Sequence, residues 1–226
     1  MLHNRRAVLT GAVASAMTAA VAAPAWAASD EQDVVDHSIG TLQDLRHDKE
    51  FGNARSLLRR ARAVVIAPRI IKAGFFFGGE GGQAVLLARG PNGWSDPAFY
   101  TVASASFGFQ IGAQQSEMIM FVMSERALQA LMRDQFKIGV NAGFAVVTLG
   151  STVEGATTAN VGPDIVVWAS SSGAYAGVSL DGTLIVPKTD GDARYYGRPL
   201  SSADIVQRRR GRAPGASGLV RQLNSL

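Results

Sequence analysis

Over residues 29–48 the apolar positions Val35, Ile39, Leu42 and Leu45 recur every three or four residues among acidic and polar neighbours, the stripe of an amphipathic helix. A second helical pattern, over 51–63, sets Phe51, Ala54, Leu58 and Ala61 on one side and Arg55, Arg59 and Arg62 on the other. Beyond it the period changes. Short apolar runs broken by glycine, at 63–67, 74–77, 84–87, 118–123, 143–147, 165–168 and 183–186, predict short strands. Gly90-Pro91-Asn92-Gly93 and Asp181-Gly182 are hairpin-turn signals. One helix interrupts the strands, N-capped by Ser124 and expected over 125–136, with Leu128, Leu131, Met132 and Phe136 as its buried stripe. A short last helix should begin at Ser201, because Ser201 and Asp204 have capping-box spacing. The fold class expected is α+β: N-terminal helices, then a curved or barrel-like, mainly antiparallel sheet with one long inserted helix and a short C-terminal helix. The runs at 64–67 and 84–87 resemble those at 166–169 and 183–186, a weak internal repeat.

Composition adds limits. The chain is 226 residues long and 47% apolar with 18% charged, enough to build a core, so wholesale disorder is excluded. It has no cysteine, which removes disulfides, Cys-ligated metals and thiol nucleophiles. Its three histidines, His3, His37 and His47, match no common ligand spacing. Residues 1–27 are expected to be an export signal. Arg5-Arg6 precede an uncharged, alanine-rich run over 7–23, and Ala25-Trp26-Ala27 offers the small residues that signal peptidase needs, with cleavage after Ala27. Asn4-Arg5-Arg6-Ala7-Val8-Leu9 resembles a twin-arginine signal, and the destination expected is the periplasm; retention of the segment as an anchor is the alternative. Without the signal, 28–207 carries 15 basic and 18 acidic residues, so the high pI belongs largely to the signal and to Arg208, Arg209, Arg210, Arg212 and Arg221. Nucleic acid is therefore not expected as a partner. Residues 28–207 are expected to form a single domain, and 208–226, rich in Arg, Gly, Pro and Ser through 218, a basic and disordered tail.

Candidate chemistry concentrates over 55–72, where Arg55, Arg59, Arg60, Arg62, Arg69 and Lys72 occur with no acidic residue. A cationic amphipathic helix is what an anionic membrane surface attracts; a solvated face paired with the acidic first helix is the alternative. Gly79, Gly81 and Ala84 satisfy G-x-G-x-x-A, but the run continues as strand, so a nucleotide loop is not expected; tight backbone geometry, a hairpin or bulge, is. No G-x-S-x-G elbow is present, and Asp96, Glu117 and Glu154 are a carboxylate pair only if folding brings them together. No catalytic residue, metal or cofactor is expected. Trp94, Pro97, Phe99 and Tyr100 are expected to pack onto the protein rather than insert into a bilayer, while Phe75-Phe76-Phe77 must send Phe76 to the face opposite its neighbours.

One block is more particular. Lys72-Ala73-Gly74-Phe75-Phe76-Phe77-Gly78-Gly79-Glu80-Gly81-Gly82, then Gly93-Trp94-Ser95-Asp96-Pro97-Ala98-Phe99-Tyr100, then Gln110-Ile111-Gly112-Ala113-Gln114, and later Gly173-Ala174-Tyr175-Ala176-Gly177-Val178-Ser179-Leu180-Asp181-Gly182 resemble the SYLF domain family, as does Tyr195-Tyr196-Gly197 near its C-terminal end. The resemblance covers about 51–206. It implies a lipid-binding module: eukaryotic members bind phosphoinositides, some contribute to actin assembly, and bacterial members are exported envelope proteins thought to bind phospholipid. It favours the membrane reading, with Arg55, Arg59, Arg62, Arg69 and Lys72 as the lipid-binding set. An envelope protein partner without direct lipid binding is the alternative. Thr148-Leu149-Gly150-Ser151 stands where relatives commonly have Gly-Pro-x-Gly, and the cysteine of lipoprotein members is missing.

Overall fold

The computed structural model describes residues 25–74, 77–107, 112–133, 135–138, 144–149, 162–172 and 182–226. Two helices open it, α1 (Ala25–His47) and α2 (Phe51–Arg60), and α3 (Glu125–Arg133) interrupts the strands. The strands are β1 (Ala63–Gly74), β2 (Phe77–Gly90), β3 (Gly93–Trp94), β4 (Ala98–Phe107), β5 (Gly112–Val122), β6 (Phe136–Lys137), β7 (Val146–Thr148), β8 (Ile165–Ser172) and β9 (Leu184–Pro187). Three helices follow, α4 (Thr189–Tyr196), α5 (Ser202–Val206) and α6 (Ser217–Ser225).

The strands form one sheet in the order β6-β9-β4-β2-β1-β5-β8-β7, with β3 paired to the end of β2. Among the described residues only the β7–β8 pair is parallel. The expected Gly90–Gly93 turn joins β2 to β3, and Gly93, at φ 93°, occupies the left-handed region that favours glycine. The sheet curls. α3 contacts both β5 and β9, which lie four strands apart. In a flat sheet that separation would be roughly 19 Å, wider than a helix. The two ends of the path also approach each other, because Phe136 on β6 meets Phe144, just ahead of β7, edge to face at 5.3 Å. The result is an α+β half-barrel, as the hydrophobic pattern predicts.

β1 reads as an unbroken apolar run because both of its faces are covered. Ala63, Val65 and Ala67 pack with α3 and α5 on one side, while Val64 and Ile66 pack with α1, α2 and α6 on the other. α1 uses the predicted stripe, burying Val35, Leu42 and Leu45. It is also tied down by charge. Glu31 is fully buried, and its Oε1 accepts from Lys188 Nζ at 3.1 Å and Arg194 Nη2 at 2.8 Å, while Lys188 Nζ donates to Gln83 Oε1 at 2.8 Å. Beside it Asp192, also fully buried, accepts from the Phe99 N–H at 2.8 Å through one oxygen; the other has no partner, and desolvation pushes the carboxyl up to about 7.

Several expectations need correction. α3 is nine residues long and ends at Arg133, because Phe136 and Ile138 bury as alternating residues of an edge pair with β9 rather than as a last helical turn. β4 and α4 were not expected. β4 buries Phe99 and Tyr100 on opposite faces, which packs the Trp94–Tyr100 region onto the protein as foreseen, but as strand. The basic tail is not disordered: a 3-10 turn (Pro214–Ala216) leads into α6, which buries Leu219 and Leu223 against the α1 side of the sheet. Its arginines are used locally, Arg208 and Arg210 each donating to Asp204 at 3.0 Å. The repeat is not carried into the topology, since β1 pairs with β2 whereas β9 pairs with β4 and β6, not β8. The short last helix at Ser201 is α5, capped by the reciprocal Ser201–Asp204 bonds. Residues 1–24 of the export signal expected over 1–27, Phe75-Phe76, Gly150-Ser151, Glu154 and the glycine–tyrosine block over 173–181 lie outside the described residues, whereas Ala25-Trp26-Ala27 open α1.

Candidate functional site: the arginines around α2

α2 seats Ala54 and Leu58 on the sheet and leaves Arg55, Arg59 and Arg60 exposed, with Arg62 exposed in the connection to β1. Arginines in its last turn face the negative end of the helix dipole, which helps the helix terminate there. Arg55 Nε donates to the backbone oxygen of Leu226 at 2.8 Å, and Arg60 Nε to Ser56 O at 3.4 Å. The side chains of Arg59 and Arg62 have no hydrogen bond or ion pair among the described residues, and no ion pair joins α1 to α2. The helix pair is held by packing, so this cationic face stays uncompensated.

The five-residue set predicted from sequence does not gather in one place. Between Ile66 and Arg69 the register of β1 slips, a bulge that lifts Pro68 and Arg69 toward α1. The opposing Gly82 has to be glycine, since a Cβ there would lie 2.1 Å from Arg69 O. This is the tight backbone geometry expected of the glycine cluster, which otherwise runs through β2 as paired strand. Arg69 Nη2 donates to His37 Nε2 at 3.1 Å. The other ring nitrogen, Nδ1, lies 2.6 Å from Asp33 O and must donate to it, so Nε2 keeps the lone pair that Arg69 needs. Lys72 sits further on, in register with Glu80 and Gln114. Along an extended strand Arg62 and Lys72 are roughly 30 Å apart.

Two arginines that sequence reasoning passed over stand at the α2 end of the sheet instead. Arg89 donates from Nη2 to Leu58 O at 2.7 Å and lies over the Trp94 ring at 4.4 Å, and its N–H bonds Arg62 O at 2.7 Å. Arg209, a non-glycine residue at φ 54°, donates from Nη2 to Gly93 O at 2.9 Å and Ala88 O at 3.3 Å. Gly90 makes room, because a Cβ there would meet Arg209 Nη2 at 2.4 Å. Burial lowers the pKa of both guanidinium groups. They pin the β2–β3 hairpin and add positive charge beside Arg62. Arg89 could have been flagged by its place next to the hairpin signal; nothing local announces Arg209.

Of the carboxylates considered for acid–base work, Asp96 and Glu117 lie in different surroundings. Asp96 is raised by burial and feels Arg209, whereas Glu117, also raised by burial, faces Thr41 and Asp44 of α1. Among the described residues no group of three or more His, Asp or Glu is placed to hold a metal ion, and no helix is long and apolar enough to cross a membrane.

A family model described as Ysc84, Las17-binding protein actin regulator, matches residues 103–226. Protein YSC84 of Saccharomyces cerevisiae is 31% identical over 173 residues, covering 75% of this chain and 37% of the yeast protein. SH3 domain-containing YSC84-like protein 1 is 29% identical over 152 residues in Homo sapiens (66% of this chain, 44% of that protein) and 32% over 131 in Xenopus laevis (57% and 39%). The chain thus spans less than half the length of these relatives.

Proposed function

This chain belongs to the Ysc84 (SYLF) family, and from that premise we propose that it docks peripherally on an anionic phospholipid surface and catalyses no reaction. The observation that carries the reading is the uncompensated face of α2, where Arg59 and Arg62 are exposed and unpaired among the described residues, next to Arg89 and Arg209. Each cation held near an anionic bilayer contributes about 1 kcal/mol. Two to four of them give weak, salt-sensitive attachment of the kind a peripheral protein uses. The contact is narrower than the sequence implied, since Arg55 is engaged with Leu226 and Arg69 with His37. The twin-arginine-like segment at Arg5-Arg6 supports export, which would make phosphatidylglycerol or cardiolipin in a bacterial envelope the ligand.

Flotation with vesicles tests this. The purified chain should float with phosphatidylcholine vesicles only when phosphatidylglycerol or cardiolipin is added, and less at high salt. Arg59→Glu with Arg62→Glu should abolish that flotation; if the double variant floats as before, the α2 contact is wrong. A second reading, a module for a protein partner, draws on the family description, which names a Las17-binding protein. Flotation with neither vesicle would favour it.

A further inference from the structure

Between α1 and the sheet runs a groove opposite in character to α2. Its walls hold Asp30, Asp33, Asp36, Asp44 and Glu117, none of which forms an ion pair among the described residues. The Arg69–His37 contact crosses it and divides it into spaces of about 390 and 300 Å³. Among the described residues Arg69 is the one arginine in its lining, and its hydrogen bond goes to the His37 imidazole instead of to a carboxylate. Ile71, half exposed, lies at one end and offers an apolar contact.

One chain therefore carries a groove whose five carboxylates outnumber its single arginine and, among the described residues, an arginine face with no ion pair, and cannot join them itself. Arg62 immediately precedes β1 and Arg69 lies seven residues further along it, a distance of roughly 20 Å. The outer strands of the sheet among the described residues, β6 and β7, are two and three residues long, too short to template edge pairing. We propose that copies of this chain associate head to tail, the Arg59–Arg62 face of one entering the α1–β1 groove of the next. The contact is heterologous, so each pairing leaves one groove and one arginine face open and the product is a chain of copies rather than a closed dimer. The association does not depend on the membrane reading. Where that reading also holds, the same arginines serve both surfaces and anionic vesicles compete with self-association.

Sedimentation velocity of the full chain at ionic strengths of roughly 10 mM and 1 M, where charges are felt over about 30 and 3 Å, tests it. Concentration-dependent growth should occur at low salt and vanish at high salt. Arg59→Glu with Arg62→Glu should sediment as a monomer, and so should Asp33→Arg with Asp36→Arg, since each makes both surfaces alike in sign. An equimolar mixture of the two variants should associate again, because the reversed face of one fits the reversed groove of the other and the two native surfaces still fit each other. That rescue also shows both variants to be folded. A wild-type monomer at low salt, association that survives either reversal, or a mixture that stays monomeric would overturn the proposal. Flotation separates the two readings: a groove-reversed variant that stays monomeric but still floats with anionic vesicles keeps the two surfaces distinct, and a wild type that does not float while the mixture still associates removes the membrane role alone.

Discussion

Two charged regions on the helical side of this protein use the same residue types in opposite ways. Where α1 meets α4, Glu31 lies fully buried between Lys188 and Arg194, and neither cation is left idle. At α2 the arginines are exposed, and among the described residues the side chains of Arg59, on the helix, and Arg62, just past it, have no hydrogen bond or ion pair. The first arrangement is structural, because a buried charge is tolerated only when its partners are in place. The second contributes little to the fold and is free for something outside it. Charge count alone does not separate the two; burial and pairing do.

The sharpest way to break this contrast is pH. Asp192 holds its proton up to about 7 in the folded chain, whereas an unfolded carboxyl releases it near 4. The folded state therefore binds more protons between those values, and stability falls as pH rises through the window, by up to about 4 kcal/mol. Asp164, Asp190 and Asp204 are shifted the other way by hydrogen bonds and arginines, and their contribution is lost only below about pH 4. Denaturant melts at pH 5 and pH 8 should show the chain more stable at pH 5, and Asp192→Asn should flatten the difference. Next in size is Glu31→Ala. Lys188 and Arg194 keep some access to water, so the loss should sit at the low end for a buried pair, about 3 kcal/mol in urea unfolding. Smallest is Arg59→Glu with Arg62→Glu, which should move stability by less than about 0.5 kcal/mol in the same assay. A larger loss would mean that α2's arginines hold the fold and would merge the two regions into one class.

What the sequence could convey follows from how local each signal is. The α1 stripe, the β1 run and the Ser201–Asp204 capping box each lie within a few residues, and each is found where expected. β4 escaped because Phe99 and Tyr100 bury on opposite faces, which erases alternation, and the small residues after them look like loop. α4 escaped because Asp192, buried without a full set of partners, is indistinguishable in sequence from a solvated acid. The candidate site was half legible for a geometric reason. Basic residues close in sequence stay close on a helix, which rises about 1.5 Å per residue, but a strand carries them apart at more than twice that rate. Hence Arg59 and Arg62 stayed together while Arg69 and Lys72 moved away. Arg209 reached the same end from 121 positions beyond Ala88, which no local pattern could reveal.

The packing of α6 on α1 has a consequence for how the chain is made. Gln32 Nε2 donates to Gly215 O at 3.2 Å across 183 positions, and Leu219 and Leu223 complete the apolar layer that Val35, Leu42 and Leu45 begin. During synthesis α1 emerges long before its cover is complete. β1 and β2 cover part of its hydrophobic stripe as they form, but the helical layer closes only once residues near 219 are free to dock. The slow, aggregation-exposed stage of this protein's life is thus the interval between its first helix and its sixth.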